Sequence, residues 1–104
     1  MNYHIDYHPL ARKDLLDLDG SQSKIVLASI YKVSQNPLPK SEGGYGEALG
    51  NKHGINLTGC CKIKLKKIGV RVVYKLIRTG KIMRIIVIAA RADEQVYDIA
   101  AKRI

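Results

Sequence analysis

On either side of Lys66-Lys67-Ile68-Gly69, apolar residues recur at every second position: Cys61, Ile63 and Leu65 before it, Val70, Val72 and Tyr74 after it. A period of two is that of a strand with one buried face, so the segment reads as a hairpin. Pairing Lys66 with Gly69 sets Leu65 opposite Val70, Lys64 opposite Arg71 and Lys62 opposite Val73. Lys62, Lys64 and Arg71 then share one face, while Ile63, Leu65, Val70, Val72 and Tyr74 take the other and make core. Like charges opposed across a strand pair cost about 0.2 to 1 kcal/mol. The pattern is intelligible if an anion is expected between those side chains.

The whole chain carries the same bias. Its 104 residues hold 18 Lys and Arg against 9 Asp and Glu, a formal charge of +9 with a pI near 9.7. Partners bearing phosphate or carboxylate are implied, nucleic acid first among them. Length and a 46% hydrophobic content suit one small domain over residues 1–104, with a single core. The longest apolar run, Ile85 to Ala90, is too short to span a bilayer, and Met1-Asn2-Tyr3-His4 has no signal-peptide pattern. A cytoplasmic protein without membrane contact is expected. Cys60 and Cys61 are neighbours that a strand points to opposite faces, so they are read as free thiols. Neither they nor His4, His8 and His53 have a metal-ligand spacing, and neither a metal nor a cofactor is expected. His53 alone lies on a loop that could bring it near the cationic face.

Asn2 to Tyr7 alternates as a first strand, and Pro9 suits the first turn of a helix running to about Leu18. Ser21 is placed to cap a second helix, with Val26, Leu27, Ile30, Tyr31 and Val33 at helical spacing until Asn36-Pro37 stops it. The two make a helical hairpin. Residues 38–58, rich in Gly and Pro, read as a long loop. Three strands follow as an antiparallel meander. A turn at Thr79-Gly80 pairs Tyr74 with Ile85, Val72 with Val87 and Arg71 with Ile88. Asp93 is placed to cap a last helix, which would dock over Ile86 and Ile88 and carry Tyr97 and Arg91 towards Lys64 and Arg71. The order is β-α-α-β-β-β-α, an α+β domain.

Lys62, Lys64, Arg71, Arg91 and Tyr97 thus converge, with no carboxylate or His among them. The plain reading is a solvated basic face that binds nucleic acid without activity. Chemistry is the alternative. A phosphodiester in transition needs cations round its non-bridging oxygens, a base for the 2′-OH proton and an acid for the leaving 5′-oxygen. A Tyr, or a Lys whose pKa is lowered by neighbouring cations, could be that base.

Cys60-Cys61-Lys62-Ile63-Lys64-Leu65, then Gly69 to Tyr74, then Arg91 with Val96-Tyr97 and Ala101-Lys102-Arg103, closely resemble the RelE toxins of bacterial toxin–antitoxin systems. The similarity also takes in the opening strand and helical hairpin, whereas residues 38–58 are longer and richer in Gly than in RelE. The resemblance implies a small RelE-like α+β domain and a metal-independent endonuclease that cleaves mRNA in the decoding site of the ribosome. The attack is by the message's own 2′-OH, leaving a cyclic phosphate and a 5′-hydroxyl. It assigns the active site to Lys62, Lys64, Arg71, Arg91 and Tyr97: Arg71 and Lys62 for transition-state charge, Arg91 for the leaving group, and Tyr97 or Lys64 as base. Tyr97 could also stack on a base of the message. Arg12, Lys13, Lys24 and Lys32 on the helical hairpin are candidate contacts to ribosomal RNA. A cognate antitoxin, acidic and partly disordered, is the implied protein partner. ParE toxins share this fold but poison DNA gyrase; they lack this set of residues.

Overall fold

The computed structural model describes residues 2–52 and 54–104. In chain order it has β1 (His4–Tyr7), α1 (Pro9–Leu16), α2 (Gly20–Ser34), a 3-10 turn (Lys40–Glu42), β2 (Glu47–Lys52), β3 (Ile55–Leu65), β4 (Val70–Ile77), β5 (Ile82–Ala89) and α3 (Asp93–Arg103). The class is α+β, as expected, with the β3-β4-β5 meander at its centre. Two strands extend it. The sheet order is β1-β5-β4-β3-β2, with β1 running parallel to β5 and the other pairs antiparallel. The sheet is therefore mixed rather than a pure meander, and residues 38–58, read as loop, contain β2 and the start of β3.

The hairpin register is the expected one: Leu65 pairs with Val70, Lys64 with Arg71 and Lys62 with Val73. A 3.3 Å bond from Gly69 N–H to Lys66 O closes its turn, with Gly69 at φ 66, which suits a residue lacking Cβ. Between β4 and β5 the register holds at Tyr74–Ile85 and then slips: Val73 pairs with Val87, Val72 with Ile88 and Arg71 with Ala89. Ile86 is the extra residue of a bulge. Ile86 and Val87 both turn to the α3 side, and Ile88 joins the opposite core. The expected pairs Val72–Val87 and Arg71–Ile88, and the docking of the last helix over Ile88, are corrected accordingly.

Both faces of the sheet are covered. On one, α1 and α2 bury Ala11, Val26 and Ile30 against Val70, Val72, Tyr74 and Ile85. On the other, α3 buries Val96, Tyr97 and Ala100 against Leu57, Val73, Ile86 and Val87. Cys60 and Cys61 are buried free thiols, one in each core. Burial pushes the Cys60 thiol up to about 11, which keeps it protonated at neutral pH.

Local signals place the helices. Pro9 opens α1 behind His8, whose Nδ1 accepts from Leu10 N–H at 3.1 Å. Asp19, not Ser21, caps α2; its carboxylate accepts from Gln22 N–H at 2.8 Å and from the Ser21 hydroxyl at 2.8 Å. Arg103, in the last turn of α3, bonds Asp14 of α1 at 2.7 Å and the Ile86 carbonyl at 2.9 Å, which ties the two layers together at the β5 edge. No helix is long and apolar enough to cross a membrane among the described residues.

Candidate active site

The α3-facing side of the β3–β4 hairpin presents Lys62, Lys64 and Arg71, and the first turns of α3 lie against it. Lys62 Nζ donates to the Tyr97 hydroxyl at 3.2 Å and stands 6.0 Å from the centre of that ring. Arg71 Nη1 donates to the Arg91 backbone carbonyl at 3.0 Å. Its Nε donates to the Asp93 carboxylate. The structure thus brings Lys62, Arg71 and Tyr97 together, with the Arg91 backbone alongside.

Two carboxylates enter this group, which corrects the expectation that it holds none. Asp93 Oδ2 lies 3.9 Å from Lys62 Nζ while Oδ1 takes Arg71. Glu47 Oε2 lies 3.5 Å from Lys62 Nζ. Glu47 arrives because β2 pairs it directly with Lys62. Asp93 does not cap α3: the residue at that position is Ala92, whose side chain makes no cap bond. Asp93 and Tyr97 are four apart on one helix, so both sit over Lys62. That spacing was the available sequence signal for Asp93; Glu47 had none, lying in a segment that read as loop.

Charge states follow from these contacts. Burial disfavours the Lys62 ammonium, but the Tyr97 hydrogen bond and the Asp93 and Glu47 charges outweigh it, so its pKa is raised. Lys62 is a fixed cation, fit for holding negative charge and unfit as a base. For Asp93, burial works to raise the pKa, and the Arg71 hydrogen bond, with the charges of Arg71, Lys62 and Lys64, overrides it; the carboxyl is held below its ordinary range. Asp93 is an anion at neutral pH.

The remaining candidates stand further out. Lys64 is exposed opposite Arg71. Arg91 is exposed and lines a cleft of about 470 Å³ with Leu18, Ile99 and Arg103. The Tyr97 ring is 4% exposed within the α3-side core, so its face is not offered for stacking on a base; its hydroxyl is the part at the site. Arg12 and Lys13 on α1, and Lys24 and Lys32 on α2, are exposed away from this cluster. Arg12 sits 5.5 Å from the Tyr7 ring centre and Lys32 5.6 Å from that of Tyr45. His53 lies outside the described residues. Among the described residues no group of three or more His, Cys, Asp and Glu is arranged to hold a metal ion.

The Lys62 and Arg71 cations and the Tyr97 hydroxyl can bind an oxyanion and exchange a proton with it, while the Arg91 carbonyl and the Asp93 carboxylate are acceptors that hold the cations in place. No protein-family model matches the chain, and a sequence comparison with curated proteins finds no match. Its fold is shared with solved structures. A double-mutant form of the E. coli toxin RelE in the free state matches with a TM-score of 0.77 at 25% identity, over 100% of this chain and 99% of that one. The same mutant toxin in complex with a peptide of the antitoxin RelB gives 0.72 at 25% identity over the same shares. The toxin–antitoxin complex RelBE2 of Mycobacterium tuberculosis gives 0.69 at 21% identity, over 89% of this chain and 95% of that one.

Proposed function

We propose, on the premise that this chain is a RelE-like protein along its whole length, that it is the toxin of a type II toxin–antitoxin pair and cleaves mRNA on the ribosome. The observation that carries the reading is the cluster of Lys62, Arg71 and Tyr97 on the α3 side of the sheet, in a fold shared with RelE. Arg71 and Lys62 meet the charge that grows on the non-bridging oxygens of the scissile phosphate. Arg91, which lines the neighbouring cleft, is the group assigned to the leaving 5′-oxygen. Tyr97, whose hydroxyl accepts a hydrogen bond from Lys62 inside the cluster, is the better placed of the two candidate bases, since Lys64 is exposed to solvent opposite another cation. Neither is a strong base, so most of the rate must come from placement of the 2′-OH in line with phosphorus. The ribosome supplies that placement, worth several kcal/mol of the barrier. The basic residues Arg12, Lys13, Lys24 and Lys32 hold ribosomal RNA through its phosphates. Its protein partner is a cognate antitoxin that holds it silent, a reading supported by the similar RelE toxin having been solved in complex with a peptide of its antitoxin.

Inducing the gene in bacteria without its antitoxin, and mapping the 5′ ends of cellular mRNAs, tests this reading. New 5′-hydroxyl ends inside translated frames, with arrest of protein synthesis, are expected. Intact messages with gyrase-linked DNA damage would instead make it a ParE-like toxin. RNA binding with neither effect would make it a module without activity.

A further inference from the structure

Asp93 is spent in an unexpected way. It occupies the first position of α3, where a carboxylate ordinarily serves the unpaired N–H groups of the helix end. Ala92, at the cap position, has no side-chain bond to offer them. Its carboxylate crosses instead to β4 and joins Arg71 Nε through one oxygen, with Lys62 Nζ 3.9 Å from the other. One anion therefore spans the two cations assigned to the scissile phosphate.

We propose that Asp93 is an internal competitor for that phosphate, occupying its subsite until RNA displaces it, an inference that rests on the function proposed above. A carboxylate and a phosphodiester offer a guanidinium the same pair of acceptor oxygens, and both cannot take Arg71 Nε at once. The carboxylate also resolves the like-charge opposition of Lys64 and Arg71: it is the anion their face requires when no RNA is bound. It can be displaced. The Asp93 side chain is 33% exposed, and an ion pair that reaches solvent is a weak one. Arg71 keeps a second anchor when Asp93 leaves, because its Nη1 donates to the Arg91 carbonyl at 3.0 Å. Glu47, more exposed and shared between Lys62 at 3.5 Å and Lys40 at 3.6 Å, with no contact to Arg71 among the described ion pairs, is a minor partner in this. The consequence is selectivity. RNA held by many ribosomal contacts overcomes the competitor, whereas a short free RNA does so poorly, so Asp93 sets part of the margin between the two substrates.

The test uses the full chain and a fluorescein-labelled 2′-O-methyl hexanucleotide, which binds without being cut, read by anisotropy. Asp93→Asn should tighten binding about fivefold to tenfold by removing one adjacent negative charge. Asp98→Asn, the same charge change on an exposed position of the same helix, should tighten it no more than about twofold, since solvent screens it. Arg71→Ala should weaken it. If Arg71→Ala weakens binding while Asp93→Asn stays within the range of Asp98→Asn, the RNA face stands and the role of Asp93 is overturned. If Arg71→Ala binds as wild type does, the face itself is overturned, and the inference with it. A measurement on the unaltered protein guards against a variant that folds poorly. The Asp93 carboxyl ¹³C titration should move to higher pH when the hexanucleotide is bound, because the carboxylate has lost Arg71. An unmoved titration rejects the displacement.

Discussion

The Lys62 ammonium donates a 3.2 Å hydrogen bond to the Tyr97 hydroxyl, joining the middle of β3 to the second turn of α3. This bond defines what each can do. Lys62 is locked as a cation, and Tyr97 presents its oxygen to the site while its ring is committed to the core. Tyr97→Phe therefore keeps the packing and removes only the oxygen. Single-turnover cleavage on saturated, programmed ribosomes should fall about a hundredfold or more if the hydroxyl takes the 2′-OH proton. Binding to ribosomes should be nearly unchanged. A loss under about threefold would transfer the base role to Lys64.

A buried contact joins the segment ahead of β2 to the sheet. Tyr74 Oη donates to the Pro37 carbonyl at 2.7 Å, and a Cβ built on Gly46 would stand 2.2 Å from that oxygen and 3.0 Å from the Pro37 carbonyl. Gly46→Ala should lower stability by about 1 to 3 kcal/mol through forced displacement in a packed core. Tyr74→Phe should cost about 1 to 3 kcal/mol by leaving the Pro37 carbonyl without its donor. Because the two share one contact, the Gly46→Ala penalty should shrink in the Tyr74→Phe background. Urea melts of the four proteins check this.

Acid should dissolve the Asp93 linkage in a predictable window. The folded pKa of Asp93 lies below its unfolded value, so the stability it brings is complete above the unfolded value, about 3.9, and is lost as pH falls through the folded value. The groups facing it are Lys62, Lys64 and Arg71. Wild type should exceed Asp93→Asn in stability by no more than about 1 kcal/mol near pH 7, since the pair reaches solvent. The gap should close below about pH 4. A gap that persists at pH 2 would mean that the carboxylate contributes by packing and not by charge.

The β3–β4 hairpin was legible because a period of two with a glycine turn admits one register, and a slip would have turned Lys62 and Lys64 into the core. The β5 register was not, for a physical reason. Ile85, Ile86, Val87 and Ile88 are all apolar, so the run carries no phase, and a bulge that turns Ile86 and Val87 to one side leaves no mark in it. Strand β2, with Gly50 at φ 60 inside it, forms through pairing with β3 and not from its own preference. Its pairing is what carries Glu47 to Lys62. The parallel β1–β5 contact joins segments far apart in sequence, which local pattern does not encode. At the site, the identities of the cations were readable from the hairpin and the resemblance, while the anion among them was read as a helix cap.

The most direct measurement is single-turnover cleavage of mRNA in programmed ribosomes by Arg71→Ala, beside wild type and beside the same RNA free in solution. Wild type should cut the ribosome-bound message at least about a hundredfold faster than free RNA, because its own groups are weak acids and bases. Arg71→Ala should lose about a hundredfold or more on the ribosome, on the order of 3 kcal/mol of transition-state stabilisation, with ribosome affinity little changed. A circular-dichroism melt must show the variant folded, since it leaves Asp93 without its guanidinium partner. Wild-type cleavage by a folded Arg71→Ala protein would contradict the assignment of this face as the active site.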